Sequence, residues 1–136
     1  MRKRTAMMIG AGVLLAASVF FLTRGRDGTP PALAPGFPPV FPGASLEGNR
    51  SAAVKGGWQR AFLYTAPGKA EAIIAFYRRA LVGAGLLVMA EGGGTYGGML
   101  RAQDKSAKRL IYVDVDAPEE APNQPPKVTV TIVDTR

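Results

Sequence analysis

Asp114 and Asp116 stand two residues apart in the alternating stretch Arg109 to Asp116, with Glu119 and Glu120 just beyond. On a strand that spacing puts both carboxylates on one face. There they could hold a hard cation such as calcium, or divide the roles of acid and base. The ligand spacing and the glycine of a calcium loop are missing, so a solvated strand end running into a loop is the plainer reading. Arg78, Arg79, Lys105, Lys108 and Arg109 are the cations expected at the surface. Of these, Arg78, Arg79, Lys108 and Arg109 form the candidate interaction surface, for anionic headgroups or an acidic partner.

Other apparent motifs are set aside by context. Gly92 to Gly98 is rich in glycine, but a phosphate cradle leads into a helix amino terminus, and this run joins two strand candidates. Pro67-Gly68-Lys69 imitates the end of a P-loop without its upstream glycine. Ser51 and Ser106 have no base to activate them. The chain contains no histidine and no cysteine, which excludes the usual zinc, haem, catalytic-triad and thiol chemistries. The expectation is a protein that is no enzyme, with no cofactor and no metal.

The elements that position these residues follow from periodicity. Lys69 to Val82 is a helix: Ala70, Ile73, Ile74, Tyr77, Ala80, Leu81 and Ala84 recur at helical spacing, while Glu71, Arg78 and Arg79 fall opposite. Pro67 precedes it and Gly83 and Gly85 close it. Strands are expected at Ala44–Val54, Trp58–Tyr64, Leu86–Glu91, Tyr96–Gln103, Arg109–Asp116 and Lys127–Asp134. Glycine turns fall at 56–57 and 92–94. In the last strand Val128, Val130 and Ile132 point inward and Thr129 and Thr131 outward. Trp58, Tyr64 and Tyr96 read as core or sheet aromatics. The fold class is α+β, one antiparallel sheet of about five or six strands with one main helix on one face. Its central packing sets Ile73, Tyr77 and Leu81 against Val113, Val130 and Ile132.

Two segments precede that domain of residues 44–136. In residues 1–26, Arg2, Lys3 and Arg4 lead into an uncharged run from Thr5 to Thr23, followed by Arg24 and Arg26. As a helix the run would extend about 28 Å, close to the thickness of a bilayer's hydrocarbon core. This predicts a transmembrane signal-anchor, with the lipid bilayer as partner through residues 5–23. The flanking cations favour a cytoplasmic amino terminus and a domain on the far side. The alternative is a cleaved secretory signal ending near Ala16, Ala17 and Ser18. Residues 27–43 hold six of the 11 prolines and predict an extended spacer. The chain carries +7, with 17 Lys+Arg against 10 Asp+Glu. Five of those cations lie in the first 26 residues, so the basic balance belongs to the membrane flanks and no nucleic-acid partner is expected.

Pro39-Val40-Phe41-Pro42-Gly43-Ala44 resembles a P-x-[YF]-P-G-A motif. Phe76-Tyr77-Arg78-Arg79-Ala80-Leu81 with Gly85 resembles an F-Y-R-x-x-L-x-x-x-G helix end. The pair is similar to that of small bacterial envelope-anchored domains of unknown function. Leu86 stands where those proteins often carry tryptophan. The resemblance covers roughly residues 39–86 and implies an α+β domain outside the inner membrane, in the periplasm, without implying an activity. Anchor, spacer and domain together predict a single-pass envelope protein whose outer domain is a non-catalytic module for a protein partner in the envelope. A small-ligand or divalent-cation module is the alternative.

Overall fold

A computed structural model describes residues 32–135. The expected membrane span and the first part of the spacer lie outside the described residues. Among the described residues, no helix is long and apolar enough to cross a membrane.

Six strands form one antiparallel sheet: β1 (Ser45–Val54), β2 (Gly57–Thr65), β3 (Leu87–Gly94), β4 (Gly97–Gln103), β5 (Arg109–Asp116) and β6 (Lys127–Thr135). Their spatial order is β1-β2-β6-β5-β4-β3. Hairpins link β1 to β2, β3 to β4 and β4 to β5, while helix α1 (Ala70–Gly83) carries the chain from β2 to the far edge. The last strand then inserts in the middle, between β2 and β5.

The alternation read from the sequence sets the two faces. Ile111, Val113 and Val115 pair across the ladder with Ile132, Val130 and Val128. Leu100 and Ala102 of β4 continue the same face, opposite Val113 and Ile111. Onto it α1 lays Ala70, Ile73, Ile74, Tyr77 and Leu81, all buried in one cluster with those strand residues. At about 1.5–3 kcal/mol for each large apolar side chain removed from water, this cluster dominates the stabilisation. The expected contact set of Ile73, Tyr77 and Leu81 with Val113, Val130 and Ile132 is therefore present. Ala84, expected at the end of the helical stripe, is instead the exposed C-cap.

The helix ends through its glycine. Leu86 N–H donates to Leu81 O and Gly85 N–H to Val82 O, while Gly85 takes φ +88°. This reciprocal closure needs a left-handed residue, which glycine supplies without a Cβ clash. Leu86 is then buried beneath the turn.

Two details differ from the sequence expectation. First, from Leu33 onward the proline-rich segment is not held off the domain: Leu33, Phe37, Phe41 and Ala44 pack against the core, and Pro38 is buried. Phe41 meets Phe76 of α1 edge-on, ring centroids 5.4 Å apart. These side chains cover apolar surface on the helix side of the sheet, and that burial outweighs the extended preference of the prolines. Second, Gly92–Gly94 continue β3, and the connection to β4 is Thr95-Tyr96. Tyr96 lies in that turn and is 53% exposed, so it is no core aromatic. Tyr64 is buried and Trp58 half-buried, as expected.

Candidate functional site

Because Ile111, Val113 and Val115 face the helix, Asp114 and Asp116 share the opposite face of β5. Asp114 stands between Thr129 on β6 and Met99 on β4, and Asp116 between Lys127 and Gly97. Asp114 is exposed, whereas Asp116 is half-buried and its Oδ2 is buried without a hydrogen-bond partner. Burial pushes the Asp116 carboxyl above the ordinary carboxylate range, and the nearby charge of Glu120 adds to the effect. Desolvation by the flanking sheet moves Asp114 in the same direction. Lys127 Nζ, in the row of Asp116, donates to Thr65 Oγ1 at 3.4 Å and lies 3.6 Å from Glu47 Oε1. Among the described residues no three His, Cys, Asp or Glu side chains are grouped to hold a metal ion. A hard cation takes six to eight oxygens, so Asp114 and Asp116 would supply a minority of its shell.

The candidate cations fall into two pairs on different elements. Arg78 and Arg79 are exposed on α1, and Arg78 Nε donates to Glu91 Oε1 of edge strand β3 at 2.8 Å. An ion pair this exposed contributes little stability. Lys108 and Arg109 sit at the β4–β5 connection, which Asp104 organises by accepting from both their backbone N–H groups and from Ser106 Oγ. Those bonds, the Arg109 N–H first, hold the Asp104 carboxyl below its usual range. The Arg109 side chain turns to the helix side of the sheet. It clasps Asp134 with Nε to Oδ1 at 2.5 Å and Nη2 to Oδ2 at 3.3 Å, its guanidinium 5.5 Å from the Phe37 ring.

A third arginine belongs to this group, and sequence reasoning did not single it out. Arg60 faces the same side as Asp134, and its Nε and Nη2 are buried without a hydrogen-bond partner. Burial lowers its pKa, with Asp134 opposing that shift and Arg109 reinforcing it. The alternation of β2 places Arg60 on the inner face between Trp58 and Phe62, which was the available signal.

The glycine-rich stretch lines a shallow cleft of about 140 Å³ between α1 and the β3–β4 hairpin, with Glu71, Ile74, Arg78 and Glu91. Its glycines serve the hairpin's close approach. A Cβ on Gly93 would lie 2.6 Å from the Gly97 carbonyl oxygen, and one on Gly97 would lie 2.7 Å from that of Val115.

The sheet face opposite α1 is left uncovered by the described residues. Three rows of the register compose it: Leu63, Thr129, Asp114 and Met99; then Ala61, Thr131, Tyr112 and Arg101; then Val133, Leu110 and Gln103, where the β2 member, Gln59, is buried. Both α1 and residues 33–44 pack on the other side. Leu63 and Met99 are 38% and 39% exposed. Sequence reading placed Thr129 and Thr131 outward on one strand and Asp114 and Asp116 together on another, and set the candidate interaction surface at Arg78, Arg79, Lys108 and Arg109 instead. It gave no weight to Leu110, Tyr112 and Val133, apolar residues at outward positions of two otherwise alternating strands.

In comparison with known proteins, the chain matches no family model and no curated protein.

Proposed function

We propose that this chain is a single-pass protein of the bacterial inner membrane whose periplasmic domain is a non-catalytic protein-interaction module. The observation that carries the reading is the open sheet face. The helix and residues 33–44 cover one side of the sheet, and the other side presents exposed Leu63 and Met99 with half-buried Leu110 and Tyr112 among polar neighbours. Monomeric domains rarely leave such a surface without use. The anchor rests on the 19-residue uncharged run from Thr5 to Thr23 and its flanking cations, whose length fits a bilayer. The resemblance of Pro39–Ala44 and Phe76–Gly85 to envelope-anchored domains points to the same address, and those two stretches touch through Phe41 and Phe76.

Photo-crosslinking from Tyr112 and Met99 in intact membranes tests the module. Discrete adducts from these positions, absent from Val82 on the helix, are expected; equal labelling at all three sites refutes it. Protease added to spheroplasts should degrade the domain, whereas a domain digested only after lysis overturns the topology.

A second reading is favoured by one observation, the buried and unpartnered Oδ2 of Asp116. In that reading Asp114 and Asp116 bind a divalent cation. Calorimetry with calcium and magnesium decides it, since no heat and no change in melting temperature removes it.

A further inference from the structure

The open face carries charges of opposite sign, separated along the strands. Asp114 and Asp116 lie toward the end where β5 finishes, with Glu119 and Glu120 in the connection beyond; Lys127, in the row of Asp116, is paired there with Glu47 of β1 and leaves that end acidic. Arg101 lies toward the other end, one row further along, and Lys105 and Lys108 follow in the β4–β5 connection. Between and around them are Leu63, Met99, Tyr112 and Leu110. A foreign partner would need the reverse of this arrangement, and a second copy turned end for end already has it.

We propose that two copies of this chain pack open face to open face about a two-fold axis running across the strands, with Asp114 of each meeting Arg101 of the other around a centre of Tyr112, Thr129 and Thr131, and with Leu63 and Met99 to either side. The inference rests on reading the domain as an interaction module and names its partner. An axis between the Asp114–Met99 row and the Tyr112–Arg101 row sets Asp114 of one copy over Tyr112 of the other. Arg101 of that copy is then one strand away, about 4.8 Å, within reach of a long side chain. Sheets stacked this way lie about 10 Å apart and close an isologous interface. Six strands at about 4.8 Å and roughly 20 Å of strand length give on the order of 500 Å² per copy. About 1,000 Å² in total is the lower bound of specific interfaces, so the dimer is expected to be reversible.

The test uses the full chain in mild detergent, with mass measured by light scattering after subtraction of the detergent. The wild type should run at twice its 14.3 kDa mass. Asp114→Arg and Arg101→Asp should each weaken association at least ~10-fold, since each sets like charges face to face. The double variant should regain the dimer, which separates a charge effect from damaged folding, and circular dichroism checks each variant. A monomeric wild type overturns the proposal, and so does a dimer indifferent to both single changes. Failure of the double variant to recover also overturns it. A monomeric wild type that still gives discrete crosslinks to another protein from Tyr112 and Met99 would leave the interaction module standing without self-association.

Discussion

Asp134 lies between two arginines that experience different environments. Arg109 gives it a two-pronged grip, with side chains 28% and 17% exposed, while Arg60 contributes charge without a hydrogen bond from its buried Nε and Nη2. Burying donors without partners costs about 1–3 kcal/mol. Arg60→Met should therefore leave stability unchanged or raise it by up to about 2 kcal/mol, whereas Arg109→Met should lower it by about 1–3 kcal/mol. Urea unfolding compares them directly. Asp104 and Asp116 make a second contrast, in pH. The folded pKa of Asp104 is depressed, so its contribution is present above the unfolded value and lost as pH falls through the folded one. The folded pKa of Asp116 is raised, so ionisation opposes folding, and stability is gained as pH falls through that raised value toward the unfolded one. Asp104→Asn should thus flatten the loss of melting temperature in acid. Asp116→Asn should raise melting temperature at neutral pH and remove the gain on mild acidification.

At the scale of elements, the helix and the six strands were legible to within a few residues: α1, β5 and β6 bury one face and that burial writes itself into their periodicity, whereas β1 is exposed from Ser45 to Ser51 and is marked by the glycine turn that follows it. The docking of residues 33–44 was obscured by prolines, which argue for an extended chain. Yet Leu33, Phe37 and Phe41 recur at every fourth position, and all three reach the core. Strand order was not legible, since pairing between distant strands leaves no local mark. The Arg60–Asp134–Arg109 group was hidden for the same reason: its members lie on three strands brought together by that order. Phe41→Ala removes a half-buried ring and its edge contact with Phe76 and should cost about 1–3 kcal/mol. Gly85→Ala places a Cβ at φ +88° and should cost about 1–2 kcal/mol by straining the turn that closes α1. Thermal melts of both variants check these values.

For the molecule as a whole, the domain's working boundary is Leu33 and not the end of the proline-rich stretch. A chain beginning at Ala32 should melt where the full-length chain does. One beginning at Ser45, lacking Leu33, Phe37, Pro38 and Phe41, should melt several degrees lower; equal melting temperatures would show that those contacts add nothing. The arrangement of the sheet has a further consequence, for biogenesis. Its central strand is made after the other five, so a nascent chain holds only two separate hairpin groups, β1–β2 and β3–β5, each with a bare edge toward the missing β6. A polypeptide stalled or cut short before Lys127 would lack the piece that joins them. Quality-control proteases could then tell finished from unfinished copies with no dedicated degradation signal.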